Sequence, residues 1–365
     1  MHATESLREA DRLMTVCNAC RYCEGLCAVF PAMEMRRTFA DADLTYLANL
    51  CHQCGACFPD CQYSPPHEFN VNVPATLAKV RNDSYAAYAW PGFLSAVFAR
   101  NGLLVALLAA ASVAGFIAGF VALADPVALW SRNAGDFYKV MPHRAMVALF
   151  GAVSLYAIAA FAFSLRAFWR DIRGDGPVGI VPFALALHDT FTLRYLGGGG
   201  GGCTSENERP SAARRVYHHF TFYGFLLCFA ATSVATVYHY AFDWRAPYAF
   251  TSLPVLLGIV GGIGLLIGPA GLFALSLNRD ATLTDPSHRG MDVAFILMLF
   301  LTSLTGFTLM IWRDSAAMGL LLAVHLGVVF ALFLSLPYGK FVHGFYRLLA
   351  LVKYAAERRK GAFVA

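Results

Sequence analysis

Across 365 residues, 58% of the side chains are hydrophobic and 14% are charged, far from the balance of a soluble globular protein. The net charge is only +5, and no basic surface interleaved with aromatics is visible, which excludes nucleic acid as a partner. The N-terminus lacks the charged segment and short apolar run of a secretory signal, so a polar head is expected to precede a largely lipid-embedded chain.

The head, residues 1–90, carries one cysteine spacing twice: Cys17-x2-Cys20-x2-Cys23-x3-Cys27 and Cys51-x2-Cys54-x2-Cys57-x3-Cys61. Three thiolates from one tight loop and a fourth from elsewhere is how a cubane iron–sulfur cluster is wrapped. Zinc prefers separated C-x2-C pairs or mixed Cys/His sets, and disulfides need an oxidising compartment. Two tandem runs imply two 4Fe–4S clusters. The two-cluster ferredoxin pattern exchanges the fourth ligand, giving Cys17, Cys20, Cys23 and Cys61 to one cluster and Cys51, Cys54, Cys57 and Cys27 to the other.

Between the runs, Asp41 or Asp43 is expected to cap a short helix whose Leu44, Leu47 and Leu50 recur at helical spacing and which delivers Cys51 from its end. Pro65, Pro66, Pro74 and Pro91 predict an extended connector over residues 62–90 with one short helix near Ala75–Arg81. Arg21, Arg36, Arg37 and His52 could raise cluster potentials or dock an acidic partner face, but solvated surface is the preferred reading. A head this small is expected to lean on its clusters for stability.

Six apolar runs follow, near 93–124, 143–168, 217–241, 253–277, 291–312 and 316–336, each long enough to span a hydrocarbon core. Arginines concentrate between spans two and three and in the tail, which by the positive-inside rule places the head and both termini on the cytoplasmic side. Gly197–Gly202, followed by Cys203, reads as a flexible linker. Gly258, Gly261, Gly262, Gly264, Gly268 and Gly271 in span four superficially resemble a dinucleotide fingerprint. They lack the flanking strand and acidic residue, so close helix packing is the better reading. Cys228, mid-span, reads as a buried thiol.

Histidines inside a bilayer are costly and usually functional. His218, His219 and His239 lie on span three, His325 on span six, and His343 beyond Pro337. If the helix continues through Pro337, His325 and His343 share a face. Imidazoles near both ends of two helices suit a bundle holding haem b, one or two copies. His218 or His219 with His343 is the first choice, near the head; His239 with His325 is a second pair on the far side. His143, His188 and His288 read as interfacial or loop residues.

The cysteine runs, the connector Pro65-Pro66-His67-Glu68-Phe69-Asn70-Val71-Asn72-Val73-Pro74, the segment His218-His219-Phe220-Thr221-Phe222-Tyr223-Gly224 and the stretch Leu336-Pro337-Tyr338-Gly339-Lys340-Phe341-Val342-His343 together resemble the tricarballylate/citrate utilisation protein B family over nearly the whole length. The resemblance implies an inner-membrane electron-transfer subunit with two 4Fe–4S clusters and haem b. Such a subunit reoxidises an FAD-dependent tricarballylate dehydrogenase partner and passes electrons to the quinone pool. Ala28 and Gln62 replace the proline expected after each fourth cysteine, which disfavours the strand-rich ferredoxin fold.

The expected fold is all-α: a small helical ferredoxin-like domain over residues 1–90, then a six-helix transmembrane bundle over 91–365. Competing functions are a quinol-fed donor to a cytoplasmic reductase, a membrane-tethered iron–sulfur redox sensor, and a tricarboxylate transporter, for which no convincing inverted repeat is found.

Overall fold

The computed structural model describes residues 2–123, 126–174, 178–206 and 209–361. Residue 124, the expected end of the first span, and residues 362–365 of the tail lie outside them. The described residues contain helices and no named strand.

The head holds α1 (Glu5–Cys20), α2 (Val29–Glu34), α3 (Asp41–Leu50) and α4 (Val73–Ala87). Thr4 caps α1, its hydroxyl accepting the Leu7 N–H at 3.2 Å. At the other end Arg21 turns left-handed, φ 57°, directly after Cys20. Capping of α3 differs from expectation. Asp41 is its first helical residue, Ala40 is the cap, and the Asp43 carboxylate reaches back to the Ala40 N–H at 3.3 Å.

The connector is also more ordered than its prolines suggest. Asn72 Oδ1 accepts the Ala75 N–H at 3.1 Å, so Pro74 falls in the first turn of α4 and starts a helix of 15 residues rather than interrupting one. Proline needs no donor there, which is why the composition misleads.

Beyond the head come α5 (Asn101–Leu123), α6 (Pro126–Trp130), α7 (His143–Ile172), α8 (Ile180–Phe191), α9 (Ala213–Phe242), α10 (Leu253–Leu277), α11 (Arg289–Ile311), α12 (Met318–Ser335) and α13 (Val342–Gly361). Six segments are long and apolar enough to cross a membrane: Gly92–Leu123, His143–Ile172, Ala213–Phe242, Leu253–Leu277, Pro286–Ile311 and Met318–Lys360. The chain is therefore a multi-pass membrane protein.

The glycines of span four act as read. A Cβ on Gly261 would meet the Gly224 carbonyl oxygen and the Cys228 nitrogen at 2.8 Å, and one on Gly264 the Phe220 oxygen at 2.8 Å, so α9 and α10 touch backbone to backbone. The opposite side of α9 is open. Gly224 is its one buried residue among those described.

The sixth span does not continue as one helix through Pro337. The chain tightens to a 3-10 turn at Leu336–Tyr338, is extended at Gly339, and restarts as α13. This removes the shared helical face of His325 and His343.

α13 instead returns to the head. Tyr346, Ala350, Leu351 and Tyr354 join one core with Leu44, Tyr46 and Leu47 of α3, Leu77 of α4 and Phe168 of α7. Arg36 pairs with Glu357 at 2.5 Å and with Asp43 at 2.6 Å, and Lys353 lies 3.6 Å from Glu357 and 3.7 Å from Asp43. Arg36 is therefore a structural ion-pair residue and not solvated surface. His52 likewise departs from that reading, at 7% exposed, whereas Arg21 and Arg37 are exposed as expected.

Candidate metal centres

The eight cysteines of the two runs are brought together at the junction of α1, α2, α3 and the loops that follow. Cys17 and Cys20 end α1, and Cys51 closes α3, its N–H donating to Leu47 O at 3.1 Å. Burial pushes the Cys17 thiol up to about 12, with Cys61, Cys23 and Cys20 adding to the rise. Burial does the same to Cys23, up to about 12, with Cys61, Cys20 and Asp60 adding to the rise.

Cys27 is raised by burial and then by Cys51 and Cys54; Cys57 by burial and then by Cys54, Cys27 and Cys51. The thiols thus fall into two sets, Cys17/Cys20/Cys23/Cys61 and Cys27/Cys51/Cys54/Cys57, with Cys57 also sensing Cys23 across the gap. Buried thiols held protonated ionise when a metal takes the proton's place. Among the described residues no three His, Cys, Asp or Glu side chains close on one point as ligands of a single ion. A multi-iron core needs its thiolates spread around it, and the two four-thiol sets fit that donor pattern.

The surroundings of the two sets differ. Arg21, Tyr22, Glu24, Asp60 and Gln62 beside the first are exposed, with Tyr22 at 73%, whereas His52, Gln53, Gly55 and Ala56 beside the second are buried. A cavity lined by Cys27, Cys51, Cys54 and Cys57 opens within the second set.

The glycine run covers that set and is not a flexible linker. Thr204 N–H donates to Cys54 O at 2.9 Å, and Cys203 and Ser211 exchange backbone bonds at 2.8 and 2.9 Å. Gly198, at φ 49°, sits so close to the second run that an added Cβ would lie 2.9 Å from Ala56 Cβ. Only glycine combines that left-handed backbone with so close an approach. Composition alone does not separate such a cover from a linker.

Four arginines converge on the carbonyls of the second run. Arg81 and Arg347 both donate to Cys51 O, at 3.0 and 2.9 Å; Arg214 and Arg279 donate to Gln53 O, at 2.5 and 3.5 Å. They come from α4, α13, α9 and the turn after α10. Burial, and then Arg214, pulls the Arg279 guanidinium below its ordinary value. Lys340 is paired with Asp292 at 2.7 Å, but the arginines have no such carboxylate among the contacts above. Burial, followed by Arg347, holds the His52 imidazole well below its usual range, and His218 is among the charges acting on it.

Arg214, which reaches Gln53 O, stands one turn before His218 on α9 and so brings His218 toward the second run. The His218 ring stands 6.1 Å from that of His343, at 77° between planes. His343 Nδ1 donates to Lys340 O, which leaves Nε2 as the lone-pair nitrogen, and His218 Nδ1 is buried with no partner. His219 points elsewhere, 5.8 Å from the Tyr223 ring. On the far side the structure does not unite His239 with His325. His325 Nδ1 meets Thr305 Oγ1 at 3.0 Å, while His239 stacks on His143 at 3.9 Å. That stack joins the first turn of α7 to the last turn of α9.

The family described as "Citrate utilization protein B" matches residues 97–363, and "Citrate utilization protein B Fer4-like domain" matches residues 10–87. A curated relative from Escherichia coli, citrate utilization protein B, is 52% identical over 361 residues, 98% of this chain and 94% of the relative. No solved structure gives a significant match.

Proposed function

The chain belongs to the citrate utilization protein B family, and on that premise we propose that it is a membrane electron-transfer subunit of tricarboxylate oxidation. In this reading it reoxidises an FAD-dependent dehydrogenase of tricarballylate or a related tricarboxylate and delivers the electrons to quinone. The head faces the cytoplasm from the inner membrane, in keeping with the arginine-rich head-side loops. When bound, two 4Fe–4S clusters and haem b supply one-electron carriers.

The chain's own groups have separate tasks. Cys17, Cys20, Cys23 and Cys61 would hold the outer cluster; Cys51, Cys54, Cys57 and Cys27 would hold the inner one. His218 and His343, whose rings stand 6.1 Å apart, would supply imidazole nitrogens to the haem iron. Arg81, Arg214, Arg279 and Arg347 favour added negative charge at the inner set.

One observation carries the reading: Arg214 of α9 and Arg347 of α13 reach the backbone carbonyls of the second run, and one turn away on those same helices stand His218 and His343. The test is anaerobic purification with iron, sulfide and haem quantified per polypeptide and a dithionite-reduced spectrum. Iron near eight atoms and a b-type band are expected. Cys61→Ser and Cys27→Ser should each remove a different half of the iron, and His218→Ala or His343→Ala should remove a b-type band. Colourless protein, or zinc in place of iron, refutes the proposal.

A further inference from the structure

We propose that α8 is a membrane-surface helix: its apolar outer face sits among the acyl chains of the head-side leaflet, and the arginines flanking it bind lipid phosphates. At 12 residues, about 18 Å, it is too short to cross a bilayer. Yet Ile180 to Leu187 is an unbroken run without a charged or hydrogen-bonding side chain.

The inner face of α8 has its partner. Pro182, Ala186 and Asp189, spaced four and three residues apart, are buried, and Ala186 joins the core that α13 builds with the head. The outer face has none. Ile180, Val181, Phe183, Leu185 and Phe191 are 40–82% exposed. A hydrophobic side chain exposed singly is ordinary, but five on one short helix call for a cover.

Depth decides what the cover is. The Tyr223 hydroxyl donates to Phe191 O at 2.9 Å, and the Phe191 ring stands 5.4 Å from that of Phe222. Both partners lie in the third turn of α9, a span of 30 residues. Such a helix, about 45 Å long, overshoots a hydrocarbon core of about 30 Å by about 7 Å at each end when centred. The C-terminal end of α8 is therefore held at the rim of the hydrocarbon. Phe220 and Tyr223 of α9, both exposed, continue its apolar face onto a membrane span.

Charge agrees with depth. Arg166, Arg170 and Arg173, spaced four and three residues apart at the end of α7, share one side of it and are exposed, as is Arg194 just after α8. Acidic neighbours are fewer: Asp171 lies 3.5 Å from Arg170, and the buried Asp189 lies 3.5 Å from Arg194. An apolar face flanked by arginines is the make-up of a helix lying in a phospholipid interface, where a guanidinium can take a phosphate with two parallel bonds.

The experiment places photoreactive p-benzoylphenylalanine at Phe183, and separately at Ile180, in the full chain. Phe229, 62% exposed in the middle of α9, is the lipid-facing control. The protein is irradiated in nanodiscs of equal phosphatidylglycerol and phosphatidylcholine and, in parallel, in whole cells, and then weighed intact. Positions 183 and 180 should give phospholipid adducts as 229 does, in both settings. Phosphatidylglycerol should be over-represented at 183, and Arg170→Gln/Arg173→Gln should bring it back toward the input ratio.

Adducts at 229 with none at 183 or 180 overturn the proposal. So does a cross-link in cells from 183 to a second copy of this chain or to another protein, which would make the face a protein interface. Adducts at the input ratio in the unsubstituted arginine background refute the role of the arginines. None of these outcomes depends on a cluster or haem, so failure here leaves the relay reading untouched.

Discussion

Replacing Glu357 by alanine should undock α13 from the head without touching a cysteine. Glu357 accepts from Arg36 at 2.5 Å and from the Tyr46 hydroxyl at 3.1 Å, and sits 3.6 Å from Lys353. With Asp43 the quartet is neutral: two cations, two carboxylates. Its side chains are 8–26% exposed, so they sit between a surface pair and an interior one. A surface pair contributes up to about 1 kcal/mol, whereas stripping a partner from a buried pair costs about 3–5 kcal/mol.

Loss of Glu357 leaves one excess charge, still partly met by Asp43, and an orphaned Tyr46 hydroxyl, together about 2–4 kcal/mol. Hydrogen exchange of the buried α13 amides Ala350, Leu351 and Tyr354 reads this directly. They should exchange roughly 30- to 1,000-fold faster. Glu357→Gln should have a smaller effect, and Arg36→Ala/Glu357→Ala should cost less than the sum of the singles. Acceleration below about threefold in Glu357→Ala would show that the core contacts alone hold α13.

Gly198→Ala should lift the loop from the second run, because a Cβ there meets Ala56 at 2.9 Å and the residue is left-handed, at a cost of roughly 1–2 kcal/mol. In air the inner cluster's signal should bleach faster than the wild type's; equal rates contradict the covering role. Gly261→Leu drives a side chain into backbone atoms at 2.8 Å and should destabilise the α9–α10 pair by at least about 1–3 kcal/mol, seen as a lowered melting midpoint in detergent. An unchanged midpoint would deny that contact. Arg347→Gln removes one of the two cations on Cys51 O, and an order of 1 kcal/mol of lost Coulomb attraction lowers one cluster potential by about 40 mV. A redox titration followed by electron paramagnetic resonance in which neither cluster moves would discard that role.

The parts legible in the sequence were those coded locally. The thiol spacings, the apolar lengths of the spans and the four-residue glycine rhythm each reflect a rule that acts within one turn or one helix. What escaped was set by long-range contact. Glu357 finds Arg36 across 321 residues, and nothing in a basic tail announces that it will fold back. The chain turns at Leu336–Tyr338, so the condition under which His325 and His343 share a face, a helix continuing through Pro337, is not met. Gly197–Gly202 has a linker's composition, and its packing depends on the shape of Ala56 and Leu26 in another segment. The stacking of His143 on His239 joins α7 to α9, a contact that no local pattern encodes.

The glycine cover over the second run also sets a direction. A visiting protein cannot rest on thiols roofed by Thr204 and Gly198, yet it can reach the rim around Tyr22 and Gln62. Under the proposed relay the outer set would be the doorway and the inner set an insulated room behind it. A loop that spans no membrane would then keep the current from leaking.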